Sequence, residues 1–149
     1  MELSESRTVI FQQKKLFYEA AWLVFSIFML NSLASYFYWY ASIWWFDMPM
    51  HFLGGLWIGL LSLSVLGTSK FFPKLKKATF FKICLSTILL VLLIGLFWEI
   101  FEYSVQGFLG LVLANPLDSL SDVMFDLAGG LSACVYALMS KSIRYIEAS

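Results

Sequence analysis

Long apolar stretches alternate with short polar segments along the chain. Four of these stretches reach the roughly 20 residues that a helix needs to cross the hydrocarbon core of a bilayer. They lie at about 17–37, 49–68, 82–106 and 119–140. The pattern predicts an all-α, polytopic membrane protein, a four-helix transmembrane bundle that forms a single integral membrane domain over 1–149.

The overall composition supports a membrane protein. Of 149 residues, 60% are hydrophobic and 13% are charged, and the mean hydropathy is +0.80. One soluble core of this size cannot bury so much apolar surface, which excludes a soluble enzyme domain and a disordered chain. Ten Lys and Arg balance ten Asp and Glu without a basic block outside the apolar runs, so we expect no nucleic-acid partner.

The basic residues are confined to alternate segments. They precede the first span, lie between the second and third spans, or follow the fourth: Arg7, Lys14, Lys15, Lys70, Lys74, Lys76, Lys77, Lys82, Lys141 and Arg144. The other two loops, about 38–48 and 107–118, contain none. Because Lys and Arg are retained on the cytoplasmic side, both termini and the loop at 69–81 are predicted to be cytoplasmic. The first apolar run is too long for a signal peptide, which predicts an uncleaved helix.

Two other features allow two interpretations each. Cys84 and Cys134 lie near the predicted cytoplasmic ends of their helices, where a reducing compartment favours two buried thiols over a disulfide. The segment from Tyr36 to Phe46 is almost wholly aromatic. Amphipathic rings at the headgroup level are its ordinary explanation, and the alternative is a lid or platform for a lipid chain or sugar.

The acidic residues are also distributed unevenly. Six of the ten lie in the predicted outer half together with the only histidine: Asp47, His51, Glu99, Glu102, Asp118, Asp122 and Asp126. Within each predicted helix these residues are three or four positions apart, which places them on one helix face. Three of the four helices therefore bring ionisable groups to a similar depth.

This acidic group requires compensation within a membrane. A central aspartate costs about 2.5–3.5 kcal/mol on the insertion scale, and no Lys or Arg belongs to the predicted outer half. The remaining ways to compensate the negative charge are a bound cation, shared protons or a water-filled cavity. Carboxylate oxygens with one imidazole suit Mg, Mn, Ca, Zn or Fe, so a divalent metal is the predicted cofactor.

Structural roles are the alternative for individual members of the group. For His51, a hydrogen bond in the core is as good an explanation as metal binding. For Glu99 and Glu102, the alternative is a solvated helix end. Asp118 is predicted to be the N-cap of the fourth helix. Asp126 lies about two turns inside that helix, where a carboxylate facing lipid is untenable.

The order of these residues resembles a known family. The motifs that carry the resemblance are Asp47-x-x-x-His51-x-x-Gly54, Trp98-Glu99-x-x-Glu102 and Asp118-x-x-x-Asp122-x-x-x-Asp126-x-x-Gly129. They resemble the VanZ-like group of small bacterial membrane proteins and related uncharacterised YjdF-like proteins, over about 47–130. The resemblance implies a multi-pass envelope protein of the bacterial cytoplasmic (inner) membrane, with some members linked to glycopeptide-antibiotic tolerance and no established reaction. Gly129 and Gly130 stand where many relatives carry Asn-x-x-Gly.

Together, these features predict a metal-dependent enzyme with an outward-facing site. Its substrate is expected to be a membrane lipid or a lipid-linked envelope compound, because divalent ions held by carboxylates neutralise phosphate and activate water for hydrolysis or transfer. The predicted metal ligands are Glu99, Asp118, Asp122, Asp126 and His51. The predicted catalytic residues are His51, Glu102 and Asp47. A cation or proton transporter and a structural envelope factor are the alternatives, and a homo-oligomer is left open.

Overall fold

A computed structural model of the chain describes residues 2–66, 80–110 and 116–140. Within these ranges the chain is helical and contains no strand, which confirms the all-α prediction. The elements in chain order are α1 (Glu2–Tyr36), α2 (Trp39–Ser42), α3 (Asp47–Leu66), α4 (Phe80–Phe108) and α5 (Pro116–Met139).

Four helices are long and apolar enough to cross a membrane. Their spanning parts are Lys14–Tyr36, Asp47–Leu66, Phe81–Phe108 and Leu117–Met139. Each overlaps one predicted span, which confirms the four-helix prediction. The side of the membrane on which the termini lie stays a prediction, and most of the basic residues on which it depends, at 67–79 and 141–149, lie outside the described residues.

The start of α5 corrects one prediction. Asp118 is not an N-cap, because α5 begins at Pro116 and Asp118 belongs to its first turn. Proline suits the first helical position, since its fixed φ is helical and its missing N–H would have no partner there. An acidic side chain in the first turn also interacts favourably with the helix dipole.

Helix α3 is the centre of the bundle. It packs most extensively against α5 and also contacts α1 and α4, and α4 packs against α5 as well. The crossing of α3 and α5 is close because it is lined by glycine. A Cβ atom on Gly55 would overlap the main-chain oxygen of Asp126, and one on Gly129 would overlap that of Phe52. Glycine at these positions therefore allows the two helices to approach closely.

The crossing separates two ends of the bundle. We call the end that contains Asp47, Glu102 and Asp118 the acidic end, and the other the opposite end. The hydrophobic core towards the opposite end consists of Leu16, Ala20, Leu60, Leu63, Leu66, Ile83, Ala133 and Ala137. A smaller apolar cluster, Ala34, Phe46 and Met50, packs at the acidic end.

The aromatic segment forms a short connection between α1 and α3 at the acidic end. Tyr38 turns the chain with a left-handed φ of 57°, and its carbonyl oxygen accepts hydrogen bonds from the main-chain N–H groups of Ala41 and Ser42. The rings of Trp39 and Tyr40 both pack edge-on against Phe46, with centroids 5.5 and 5.1 Å away. The segment is thereby fixed over the start of α3.

Candidate metal site

His51 is the centre of the polar cluster at the acidic end. Its side chain is only 7% exposed, and acidic oxygens lie near both of its ring nitrogens. Nε2 is 3.7 Å from Oδ2 of Asp47 and 4.0 Å from Oδ2 of Asp122. Nδ1 is 3.5 Å from Oδ2 of Asp126. Three predicted site residues on α3 and α5 are therefore brought together around this imidazole.

Exposure falls along the acidic residues from the end of the bundle inwards. Asp118 is exposed and the side chain of Asp47 is 38% exposed, whereas Asp122 and Asp126 are buried. Successive steps of four residues along α5 produce this order, since each step adds about 6 Å of depth on the same helix face. The cluster is therefore most exposed at the Asp118 end.

Helix α4 contributes the two predicted glutamates. Ligand atoms of His51, Glu99 and Glu102 all lie within 4.8 Å of one another. Gln106 lies one turn further along α4 and donates a hydrogen bond to Oε1 of Glu102 at 3.3 Å. By contrast, Oε1 of Glu99 is buried and has no hydrogen-bond partner among the described residues. A buried acceptor of this kind requires a ligand or a proton.

A second group of ligand atoms shares the same histidine. Atoms of Asp47, His51 and Asp122 also lie within 4.8 Å of one another. Ligands of one ion are separated by roughly 3–4 Å, because metal–ligand bonds are about 2.1 Å long. Small side-chain movements would therefore suffice for either group to hold an ion. Asp118 and Asp126 belong to neither group.

The position of Asp126 depends on glycine in two neighbouring helices. A Cβ atom on Gly95 of α4 would lie 2.7 Å from Oδ2 of Asp126, closer than ordinary packing allows. On α3, a Cβ atom on Gly54 would lie 3.8 Å from Oδ1, an ordinary contact. Because Gly95 has no side chain, the Asp126 carboxylate has room to reach His51.

Tyr40 is a polar neighbour of the cluster that the sequence did not indicate. Its hydroxyl donates a hydrogen bond of 2.7 Å to Oδ1 of Asn31 on α1. Burial, followed by the negative charges of Asp47 and Glu102, raises the pKa of Tyr40 from 10.0 to about 12. The hydroxyl therefore stays protonated at neutral pH. The only sequence signal was the alternative interpretation of the aromatic segment as a lid or platform.

The charge of the cluster is not balanced by basic residues. The sequence contains no Lys or Arg between Lys15 and Lys70, or between Lys82 and Lys141. These intervals include all of α3 and α5 and almost all of α4. His51 is consequently the only side chain of the cluster that can carry a positive charge. An array of oxygen ligands with one imidazole fits a divalent cation.

Comparisons with known proteins identify the family of the chain. No curated protein and no solved structure matches it. The resemblance to VanZ-like and YjdF-like proteins is not confirmed by the family comparison, which carries no functional description. A family described as "Predicted membrane protein (DUF2238)" matches residues 8–142, nearly the whole chain, and the chain therefore belongs to this family.

Proposed function

We propose that the acidic cluster around His51 binds a divalent cation and that the protein is a cation-dependent membrane enzyme. The arrangement around the imidazole carries this proposal. Asp47 and Asp122 lie beside Nε2, and Asp126 lies beside Nδ1. A histidine that binds a metal through one nitrogen typically donates its other ring N–H to a carboxylate, which fixes the orientation of the ring.

This arrangement suggests a role for each side chain. Asp47, His51 and Asp122 are the proposed ligands, and Asp126 orients His51 instead of binding the ion as the sequence suggested. Glu99, with its unpartnered buried oxygen, is the proposed additional ligand. Asp118 is exposed and belongs to neither group of ligand atoms, so it is not a proposed ligand.

The proposed chemistry is hydrolysis or transfer at a phosphate of a lipid or lipid-linked envelope substrate. The cation supplies charge neutralisation of the phosphate and activation of water. Glu102 is the proposed general base, and Gln106 holds its carboxylate in place. Because α3, α5 and the part of α4 beyond Lys82 contain no Lys or Arg, phosphate binding would depend on the cation.

The first experiment measures cation binding by the purified protein in detergent. Titration with Mn²⁺, followed by electron paramagnetic resonance of the free ion, should show saturable binding to wild type. Asp122→Asn should weaken it by about tenfold or more, because a buried ligand loses its charge. Asp118→Asn is the matched control, one turn away on the same helix but exposed, and should stay within about twofold. Equal affinities for wild type and Asp122→Asn would refute the assignment of the site.

The proposed outward orientation has its own test. In a chain whose two cysteines are replaced by serine, an impermeant maleimide should label Trp44→Cys in intact cells, since Trp44 is exposed at the acidic end. It should not label Ser140→Cys, beyond the end of α5, until the membrane is permeabilised. The reverse pattern would place the cluster on the cytoplasmic side.

One observation favours cation or proton transport as a second candidate. Near the opposite end, Oε2 of Glu19 is buried without a hydrogen-bond partner among the described residues, so a second carboxylate is available there. The close α3–α5 crossing and the fully buried Val91 lie between the two ends and oppose a continuous path. Mn²⁺ uptake into proteoliposomes that is abolished by both Asp122→Asn and Glu19→Gln would favour transport over catalysis.

A further inference from the structure

The two cysteines of the chain meet across a helix interface. Cys84 on α4 and Cys134 on α5 are its only cysteines, and both are free thiols. Their side chains lie within hydrogen-bonding reach of each other where α4 packs on α5. Because the two residues belong to different helices, their contact depends on the packing of α4 against α5. They lie away from the acidic cluster and take no part in the proposed cation site.

We propose that Cys84 and Cys134 are a redox-active dithiol that forms a reversible disulfide between α4 and α5 on reaction with a peroxide. The two thiols differ in accessibility, since Cys84 is partly exposed and Cys134 is 3% exposed. A redox pair commonly consists of one accessible cysteine and a nearby resolving cysteine. Cys84 is the first to react and Cys134 is the resolving cysteine.

The reaction has two steps. The Cys84 thiolate attacks one oxygen of the peroxide, the O–O bond breaks, and protonation of the leaving oxygen gives water when the oxidant is hydrogen peroxide. The sulfur atom of Cys134 then attacks the resulting sulfenic sulfur, the S–O bond breaks, and a second water leaves with the thiol proton. Two electrons pass from the two sulfur atoms to the peroxide. A dithiol reductant returns them and restores both thiols.

The resting state of the pair follows from the predicted topology, which places the start of α4 and the end of α5 on the cytoplasmic side. The reduced pair expected from the predicted cytoplasmic location is the resting state of this dithiol.

The cross-link would also act on the acidic cluster. Helix α4 carries Glu99 and Glu102, and α5 carries Asp122 and Asp126, so a covalent bond between the two helices restrains the separation of the two carboxylate pairs. This regulatory part rests on the proposed cation site, whereas the disulfide itself does not.

The disulfide is tested on the reduced, purified protein in detergent. After treatment with an equimolar amount of hydrogen peroxide, the intact mass of wild type should fall by two hydrogen atoms, and both cysteines should resist maleimide under denaturing conditions. Dithiothreitol should reverse both changes. The oxidised form should also have a higher Tm, because the cross-link constrains the unfolded chain. Thiols that stay reactive after peroxide, or a disulfide found only between two chains, would overturn the proposal.

Single variants separate the two cysteines. In Cys134→Ser, a sulfenic acid on Cys84 should accumulate and be trapped by dimedone, whereas Cys84→Ser should leave Cys134 largely unoxidised. Preferential oxidation of Cys134 in the variants would contradict the assigned order. If a variant fails to fold, peptide mapping of oxidised wild type still decides whether the disulfide forms.

The regulatory part is measured separately. Mn²⁺ affinity should differ by about fivefold or more between the oxidised and reduced forms of wild type. Equal affinities would remove the regulatory link and leave the disulfide intact. A complete lack of Mn²⁺ binding in both forms would instead refute the proposed cation site.

Discussion

The carboxylates at the two ends of the bundle have different charged neighbours. Near the opposite end, Oε1 of Glu19 accepts a hydrogen bond of 2.7 Å from the Tyr136 hydroxyl and lies 3.7 Å from Nζ of Lys15. At the acidic end, the carboxylates surround one histidine, and no Lys or Arg belongs to their helices except at the start of α4. A carboxylate with a basic neighbour can be structural, whereas a group of carboxylates around one imidazole needs further compensation, such as a bound cation or shared protons.

Burial makes this difference energetically important. Lys15 is exposed and the ion pair with Glu19 is partly solvated, so this pair contributes roughly 0–1 kcal/mol to stability. Asp122, Asp126 and His51 are all buried. Buried charges lose several kcal/mol of hydration each, which only well-placed partners or a bound ion can offset. A bound cation would therefore offset a larger energetic cost at the acidic end than at the opposite end.

The largest effect is expected from a substitution at the crossing that separates the two ends. Gly55→Ala should destabilise the protein by about 3 kcal/mol or more, because its Cβ would overlap the main chain at Asp126. Detergent-solubilised protein should show a strongly lowered Tm or poor expression. Gly54→Ala is the matched control on the adjacent position, where the Cβ contact is ordinary. Similar Tm values for both variants would show that the crossing is looser than described.

Two amide substitutions, one at each end of the bundle, test directly whether the two ends differ in cation binding. Asp126→Asn should weaken Mn²⁺ binding by about 10–100-fold, because the carboxylate that orients His51 is lost. Glu19→Gln should leave Mn²⁺ binding unchanged. The thermal measurement is complementary: chelator should lower the Tm of metal-loaded wild type and of Glu19→Gln, and lower that of Asp126→Asn much less. A chelator effect of the same size in Asp126→Asn would exclude Asp126 from the site.

The sequence predicts the faces of the helices better than the relations between them. Spacings of three and four residues correctly place Asp47 with His51, and Asp122 with Asp126, on common faces, because helix geometry alone determines this. The same spacings do not determine how the helices rotate about their axes or which of them are neighbours. Which ring nitrogen of His51 each aspartate faces depends on that rotation, and the sequence did not predict it.

Contacts formed by irregular segments and by different helices were missed for the same reason. Tyr40 reaches the cluster only because the left-handed Tyr38 turns the chain back over α3. The pairing of Cys84 with Cys134 requires the packing of α4 on α5, which no local pattern encodes. The wrong prediction for Asp118 was a local error, since Pro116 already fits the first position of the helix.

A smaller effect is expected near the opposite end. Tyr136→Phe removes the donor to Glu19 and should lower the free energy of unfolding by about 1 kcal/mol, the usual contribution of such a hydrogen bond. Mn²⁺ affinity should not change, because this hydroxyl lies far from His51. Tyr18→Phe is the control for loss of an exposed phenol on α1. A change in Mn²⁺ affinity in Tyr136→Phe would show that the two ends are coupled.

The smallest expected effect is a change in the titration of Tyr40, which reports the charge of the acidic cluster. The pKa of Tyr40 is about 12, above its ordinary value of 10.0, because of burial and the charges of Asp47 and Glu102. A raised pKa in the folded state stabilises the fold fully below about pH 10, and this contribution is lost as the pH rises towards 12.

Neutralising the cluster should therefore lower the pKa of Tyr40, since part of the repulsion that opposes the tyrosinate disappears. Asp47→Asn and saturating divalent cation should each shift the titration to lower pH. The measurement is the tyrosinate absorbance, taken as the difference between each protein and the same protein carrying Tyr40→Phe. Cation should produce little further shift in Asp122→Asn, because its affinity is reduced there. A wild-type titration that cation leaves unchanged would mean that no positive charge binds beside Asp47 and Glu102, and the contrast between the two ends would then depend on shared protons.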